Sequence, residues 1–320
     1  MDVDHGKPAL AARDSASRDT SHRLDATSGD VVGSTERAWR TRAPAGDAVR
    51  LRLIDGAIAW VQVDDPAHHN ALSEAVVLAL VARFQEIVAR PEIKVVVLEG
   101  REDVFLTGGA EAGLPDVDDG KAPFSGHPFL CEGLLRCDVP VIAAMQGHAA
   151  GAGLCFGLFA DVVVLAEEST YSASSMNFGI TPGLGATFVL KEQLGGPLAT
   201  EMMFLGRSYT GRELRERGVS LAVRPKAEVG AEALAIARRL AEKPRESLVV
   251  LKRELAGRKL AALPRVLAAE LEMRQRTQAD TPAPIRRQPL RLGPKEAVLQ
   301  PLSPAPIAPR RISLPPRQRS

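Results

Sequence analysis

Residues 147–157 read GHAAGAGLCFG and hold four glycines and three alanines in eleven positions. An apolar run precedes this stretch (PVIAAMQ, 140–146), and another follows it (LFADVVVLAE, 158–167). Side chains this small let a backbone come very close to another group. We therefore expect a turn between two buried elements, in which the main chain itself contacts a ligand or a neighbouring element.

A second stretch has the same design. KVVVLEGREDVFLTGGAEAGL (94–114) predicts a strand and a short polar loop, then Gly108-Gly109 before a helix-like segment. In the first stretch, Gly151-Ala152-Gly153 follows a strand and opens a helix. A helix N-terminus leaves backbone N–H groups unpaired, and small residues let a ligand oxygen reach them.

Two such turns side by side would aim two N–H donors at one carbonyl oxygen and so form an oxyanion hole. One donor of an oxyanion hole contributes about 3–4 kcal/mol to a transition state in known cases. Taken alone, however, a glycine cluster after a strand is more often a tight turn or a point of close helix packing. The residues by themselves leave both interpretations open.

The middle of the chain alternates strand-like and helix-like stretches. Asp55-Gly56 separates two strand-like runs and predicts a hairpin. Three short apolar runs predict buried strands: IKVVVLEG (93–100), PVIAAMQG (140–147) and ADVVVLAE (160–167). Four stretches predict helices: Ser73–Ile87 with Ser73 as N-cap, Thr210–Arg217, Glu228–Glu242 and Arg245–Arg258. This alternation indicates an α/β fold with parallel strands packed inside.

Composition excludes several classes of protein. The chain has 320 residues, is 45% hydrophobic and carries a formal charge of +2, which argues against nucleic acid as the main partner. No apolar run reaches the roughly 18 residues that span a bilayer, and the first residues show no signal-peptide pattern. Cys131, Cys137 and Cys155 lie in apolar or small-residue contexts without metal-ligand spacing. We expect reduced core thiols in a cytoplasmic protein, with no metal site and no membrane partner.

The two ends of the chain differ from the middle. Residues 1–46 are rich in Ser, Thr, Asp, Arg and Ala, and they predict a disordered extension. Residues 281–320 contain ten of the 23 prolines and several arginines, and they predict a disordered tail that acts as a spacer or a docking arm. The core is expected over 47–255, with a C-terminal helical region over 256–280.

Four ordered blocks resemble the crotonase (enoyl-CoA hydratase/isomerase) superfamily. They are HHNALSEAVVLAL (68–80), VFLTGGAEAGL (104–114), MQGHAAGAGLCFGLFAD (145–161) and FGITPGLGATFVLKEQLGG (178–196). The resemblance implies a spiral of ββα turns with C-terminal helices that form trimers or pairs of trimers. It also implies that the protein binds an acyl thioester and stabilises the enolate formed from it.

Site residues follow from the same resemblance. The two oxyanion donors of the family fall on the N–H groups of Gly109 and Ala152. The substrate-binding positions of the family fall on Ala71, Leu72, Ala110 and Gly151. No metal, nicotinamide or flavin is expected, because a conjugated thioester is itself the electron sink.

The hydratases of this family use two glutamates to activate water and to protonate carbon. Alignment on the glycine turn puts Cys155 at the first glutamate position, and alignment on Ile180–Gly183 puts Ser175 at the second. A thiol among apolar side chains has a raised pKa and is a poor base. Neither residue is a credible general base for water, so the sequence argues against a simple hydratase.

One branch of the family resembles this chain more than the others: the decarboxylases of polyketide β-branching. In that branch a lysine just beyond the first oxyanion turn is catalytic, and Lys121 matches it, although a solvated loop lysine is the simpler interpretation. The branch also uses a histidine in the C-terminal helices, and Arg274 stands there in this chain. Arginine can bind a carboxylate but cannot donate a proton at neutral pH. The interpretation of Arg274 as an ordinary surface residue also stays open.

The sequence therefore predicts a lyase that decarboxylates a 3-methylglutaconyl-type thioester on an acyl carrier protein, giving a 3-methylcrotonyl-type thioester. The protein is expected to be a homotrimer or a hexamer. Two alternatives remain: another crotonase activity, such as an enoyl thioester isomerase or hydratase, and a non-catalytic docking subunit that kept the fold.

Overall fold

A computed structural model of the chain describes residues 48–108 and 127–280, with side chains described as far as residue 277. The predictions for 1–46 and 281–320, and those for Gly109, Ala110 and Lys121, lie outside the described residues. Within the described ranges, no helix is both long enough and apolar enough to cross a membrane.

The strands are short, and most lie in the first two thirds of the chain. They are β1 (Val49–Ile54), β2 (Ile58–Val63), β3 (Val95–Glu99), β4 (Val104–Leu106), β5 (Val141–Met145), β6 (His148–Ala150), β7 (Val162–Ala166), β8 (Thr170–Ser172), β9 (Ser208–Thr210) and β10 (Ala222–Arg224).

Helices separate these strands and form the C-terminal part. They are α1 (Glu74–Val88), α2 (Phe129–Arg136), α3 (Ala152–Leu158), α4 (Ala186–Leu194), α5 (Gly196–Leu205), α6 (Gly211–Glu216), α7 (Val229–Ala241) and α8 (Arg245–Asp280). Short 3₁₀ turns occur at Pro66–His68, Ser174–Phe178 and Lys226–Glu228.

The strands form two sheets. The larger sheet has the order β1-β2-β3-β5-β7-β10, and the smaller has the order β4-β6-β8-β9. Pairing is parallel except at the β1–β2 hairpin and between β8 and β9. Three times in succession, the chain leaves a strand of the larger sheet and enters a strand of the smaller one. This repeat is the predicted ββα spiral, and the α/β fold class is confirmed.

Both faces of the larger sheet are buried, which explains why its central strands are continuous apolar runs. Successive side chains point to opposite faces. In β5, Ala143 and Met145 pack into the main core with helices α1 to α3. Ile142 and Ala144 face a second cluster, which α7 covers through Val229, Ala233 and Ala237.

The larger elements agree with their sequence patterns. Asp55-Gly56 closes the β1–β2 hairpin, and the Ser73 side chain caps α1 by accepting a hydrogen bond from the Val76 N–H. Thr210 caps α6 with a reciprocal bond to Glu213. The smaller sheet was not predicted, because three-residue strands such as β4 and β6 are too short to show a period of two.

Helix α8 runs without a break from Arg245 to Asp280, so the predicted helix Arg245–Arg258 and the predicted helical region 256–280 form one element. A buried ion pair fixes its first half to the core. The Lys252 ammonium is 3% exposed, and it donates to both carboxylate oxygens of Asp161 at 2.6 and 2.7 Å and to the Leu134 carbonyl at 2.9 Å. The same Asp161 carboxylate accepts the Val141 N–H at the start of β5.

We predict that Lys252→Met destabilises the protein by about 3 kcal/mol, because it leaves the Asp161 carboxylate without its buried counter-charge. Adding Asp161→Asn to the Lys252→Met variant should recover part of that loss. Urea unfolding followed by circular dichroism measures both variants. A Lys252→Met variant as stable as the wild type would show that α8 docks by apolar contacts alone.

Candidate active site

Three chain segments meet where the two predicted glycine turns lie. Ala71 pairs with Thr107 in an isolated parallel bridge. The Leu72 N–H donates to the Thr107 carbonyl at 3.0 Å, and the Thr107 N–H donates to the Asn70 carbonyl at 3.2 Å. These bonds place Ala71 and Leu72, two expected substrate-binding residues, directly beside the end of strand β4.

The third segment is the glycine turn that opens α3. The Gly108 N–H donates to the Ala150 carbonyl at 3.2 Å, so the two turns are hydrogen-bonded neighbours. A Cβ placed on Gly153 would lie 2.2 Å from the Leu106 carbonyl oxygen and 2.7 Å from the Thr107 nitrogen. These distances are far below van der Waals contact, so only glycine fits at position 153 with this backbone.

The geometry of the second turn leaves one backbone donor available. Gly151 has φ 53° and ψ −121°, a conformation that favours glycine. It directs its own N–H to the Ser172 carbonyl, while its carbonyl accepts the Cys155 N–H. Ala152 is the first residue of α3 and is partly exposed between buried neighbours. An N–H at a helix start has no acceptor within the helix, so that of Ala152 can bind a ligand oxygen.

Asn70 organises the site, and the sequence analysis did not assign it a role. It is fully buried with φ 51°. Its side-chain amide nitrogen contacts the carbonyls of Val63, Val104 and Phe105 at 3.0–3.1 Å, and its side-chain oxygen accepts the Asp65 N–H. One side chain therefore ties the segment containing Ala71 and Leu72 to strands of both sheets. Its place in the block HHNALSE was the available signal.

The two positions that align with the hydratase glutamates lie in α3 and in the 3₁₀ turn Ser174–Phe178. Cys155 is buried in the first turns of α3 at 3% exposure. Ser175 is partly exposed within the 3₁₀ turn Ser174–Phe178. Among the described residues, Glu270 is the buried carboxylate, and its oxygens already accept backbone N–H groups and a hydroxyl. The described part of the site therefore offers no carboxylate base for water.

All three cysteines are buried thiols, as the sequence predicted. Desolvation raises the pKa of Cys131 to about 12, with Glu270 and Glu132 adding to the effect. Burial raises the pKa of Cys137 to about 11. Neutral thiols of this kind act as small apolar residues rather than as nucleophiles.

Glu270 fixes the far end of α8 to the start of α4. Its two carboxylate oxygens accept the backbone N–H groups of Gly185 and Thr187, each at 2.8 Å, and the Thr187 hydroxyl at 2.6 Å. Arg274 lies four residues further along α8, one helical turn, and is partly buried. No carboxylate of the described residues forms an ion pair with it.

His148 has a structural role. Its Nδ1 accepts the Thr170 N–H at 2.9 Å and lies 2.8 Å from the Thr170 hydroxyl. This partner is a backbone N–H of the neighbouring strand β8. Desolvation by burial lowers the pKa of His148, which agrees with a neutral ring that accepts. His68 and His69 are exposed on the 3₁₀ turn and its end.

Of the expected site residues, the structure brings together Ala71, Leu72, Gly151 and Ala152. It does not describe Gly109, Ala110 or Lys121, so their roles stay predictions, as does the role of Arg274. The described residues contain no cluster of three or more His, Cys, Asp or Glu side chains that could hold a metal ion.

Comparison with known proteins agrees with the family that the four sequence blocks resemble. The model of the enoyl-CoA hydratase/isomerase family matches residues 54–283. The bacillaene synthase decarboxylase PksI of Bacillus subtilis is 43% identical over 229 residues, 72% of this chain and 92% of that protein. The 2,3-dehydroadipyl-CoA hydratase of Escherichia coli is 30% identical over 216 residues, 68% of this chain and 85% of that protein.

Solved structures give the same result. A dehydratase/decarboxylase enzyme couple involved in polyketide β-branching supplies one match with a TM-score of 0.68 and 43% identity, covering 71% of this chain and 97% of that one. The ECH2 decarboxylase domain of CurF from Lyngbya majuscula gives a TM-score of 0.69 at 33% identity, covering 74% and 96%. The family indicated by the four sequence blocks is confirmed.

The contact at Gly153 predicts a strong effect of a single methyl group. Gly153→Ala should lower the free energy of unfolding by about 3 kcal/mol, because backbone atoms of β4 must move to admit the Cβ. Gly257→Ala is the matched control, since Gly257 lies in helix α8 with open space around its Cα. That control should stabilise the protein by about 0.5–1 kcal/mol. Equal effects in urea unfolding would contradict the close approach.

The raised thiol pKa values predict a loss of stability at alkaline pH. In the unfolded chain a thiol ionises near its ordinary pKa of 9.0, whereas Cys131 and Cys137 stay protonated to about 12 and 11. The folded state therefore binds more protons above pH 9, and stability falls as pH rises. We expect a loss of about 1 kcal/mol per thiol between pH 8 and pH 10 in urea unfolding. A Cys131→Val/Cys137→Ala variant with an equally steep decline would contradict this.

Proposed function

This chain belongs to the enoyl-CoA hydratase/isomerase family, and from that premise we propose that it is a thioester-dependent decarboxylase of polyketide β-branching. Its substrate is a 3-methylglutaconyl-type thioester on an acyl carrier protein in the cytoplasm, and its product is a 3-methylcrotonyl-type thioester. Relatives at 43% and 33% identity that are named decarboxylases support this choice.

One observation carries the proposal: the glycine turn Gly151–Gly153 is intact while a buried thiol occupies the first hydratase carboxylate position. A hydratase needs a base that activates water. A decarboxylase needs no such base. The carboxylate group leaves as CO₂, and the electrons of the broken bond stay on the substrate. The site therefore retains the feature that both reactions share and lacks the feature that only hydration requires.

The reaction follows from this arrangement. The thioester oxygen lies between the N–H groups of Ala152 and Gly109. The bond between carbon and the distal carboxylate breaks, CO₂ leaves, and the electron pair moves through the double bond onto the thioester oxygen as a dienolate. Both donors bind this oxygen more strongly as its charge grows, so they lower the barrier. One proton then adds to carbon.

Two cations serve the distal carboxylate in this proposal. Arg274 binds it through its planar guanidinium, which can form two parallel hydrogen bonds to a carboxylate. Lys121 lies beside it, and Lys121 or water supplies the proton. Helix α8 packs on its own chain through Lys252 and Glu270, which favours an Arg274 that serves its own subunit.

We also propose that the protein is a homotrimer, or a hexamer made of two trimers. Helix α8 exposes several large apolar side chains that no described residue covers, at 55–57% exposure: Val250, Leu251, Leu255 and Leu271. Exposed apolar positions repeated along one helix are typical of a surface that pairs with another copy.

The decisive experiment incubates the purified protein with 3-methylglutaconyl-loaded carrier protein and follows the acyl group by mass spectrometry. We expect the loss of one CO₂. Ala152→Pro removes one donor N–H at a helix position that accepts proline, and turnover should fall by about 100- to 1,000-fold. Its solution mass and circular dichroism should match those of the wild type.

Three outcomes would contradict the proposal. An unchanged acyl mass, with an active decarboxylase as positive control, would exclude the reaction. Addition of water to an enoyl thioester would point to hydratase chemistry from residues other than Cys155 and Ser175. Full activity of a folded Ala152→Pro variant would place the oxyanion hole elsewhere.

A further inference from the structure

The segment between the second hydratase position and helix α4 contains a strained turn. Leu184 has φ 60° and is followed by Gly185 with φ 76°. A branched, bulky residue in the left-handed region is uncommon and costs free energy. Such a residue persists only where surrounding contacts hold it, so the contacts of this turn indicate what depends on its shape.

Those contacts come from the C-terminal helix. Glu270, at 3% exposure, accepts the Gly185 N–H immediately after Leu184 and the N–H of Thr187, the second residue of α4. The Gly185 Cα faces the side chains of Leu263 from α8 and Phe159, at the end of α3, and a Cβ added there would clash with the Phe159 ring. The Glu270 carboxylate thus fixes the strained turn at one position along α8.

The same segment presents a polar group toward the interior. The Thr181 hydroxyl is buried and has no hydrogen-bond partner among the described residues. It belongs to Ile180–Gly183, which follows Ser175 and leads into the turn that Glu270 holds. Buried hydroxyls are almost always bonded, so the Thr181 hydroxyl is free to bond a group other than the described residues.

Arg274 lies on α8 one turn beyond Glu270. Two residues four positions apart share a helix face, so fixing the Glu270 carboxylate fixes the direction from which Arg274 approaches. We infer that Glu270 is a positioning residue, which holds Arg274 and the segment 180–185 in one arrangement. Glu270 thereby determines selectivity for a thioester with a distal carboxylate. This inference rests on the carboxylate-binding role of Arg274 in the proposed function.

Binding measurements with thioesters that do not react test the positioning role of Glu270. Calorimetry compares glutaryl-CoA, which has a distal carboxylate, with butyryl-CoA, which lacks one. We expect the wild type to prefer glutaryl-CoA by about tenfold, the size of one charge-assisted interaction. Glu270→Gln keeps the shape of the side chain, but its NH₂ group faces a backbone N–H. A hydrogen bond is thereby replaced by two donors facing each other. It should reduce the preference to near one, as should Arg274→Ala.

A double variant separates positioning from simple structural support. If Glu270 acts through Arg274, adding Glu270→Gln to Arg274→Ala should leave the remaining preference unchanged. Glu272→Gln is the matched control, because Glu272 lies on the same helix, is exposed and pairs only with Arg276 among the described residues. That control should retain the tenfold preference. Thr187→Val removes a single bond to Glu270 and should lower the preference by about threefold.

Three results would overturn the inference: a wild type that does not prefer glutaryl-CoA, a Glu270→Gln variant that keeps the preference of the control, or independent effects of the two substitutions. If Glu270→Gln does not fold, the Thr187→Val variant decides between the same outcomes. Loss of CO₂ is assayed separately. If the wild type prefers glutaryl-CoA and Glu270→Gln loses that preference while the carrier-bound acyl group stays unchanged, the decarboxylase is rejected and the positioning role is supported.

Discussion

The contact between the start of α3 and the end of β4 is the constraint on which the site depends. The Gly153 backbone lies so close to the Leu106 carbonyl that a Cβ there would be 2.2 Å away. Hydrogen bonds through Gly108 and Thr107 extend this contact to the neighbouring segments. The site is therefore made of main chain. Apart from Asn70, whose side chain ties these segments together, these contacts are between backbone atoms, so other side chains can differ among enzymes that share the fold.

Burial decides which of the surrounding side chains can do chemistry. The Cys155 side chain occupies a position where a hydratase would need a charged carboxylate, and the position is now closed to water. Among the described residues of the site, no carboxylate is therefore left to activate water. Decarboxylation requires only that the site accept negative charge on a carbonyl oxygen, so it survives the loss.

Two buried charges hold the long C-terminal helix in place. Lys252 and Glu270 are eighteen residues apart, and each is satisfied by several hydrogen bonds. Buried charges contribute little net stability, but a buried charge that has lost its partners is costly. Lys252 and Glu270 therefore fix one register of a helix whose apolar positions alone would allow several registers. The segment around Leu184 is strained in the same region, and Glu270 bonds it to this helix.

The sequence by itself determined the fold class, the family, the β1–β2 hairpin, the cap at Ser73, and the glycine turn that opens α3. These features depend on neighbours along the chain and on small residues whose backbone needs are local. Only the tertiary structure decided that Asn70 bonds to both sheets, that Lys252 of the C-terminal helix pairs with Asp161, and that Glu270 caps α4. Each of these joins residues far apart in sequence, and no local pattern records which distant backbone group a buried amide or carboxylate will meet.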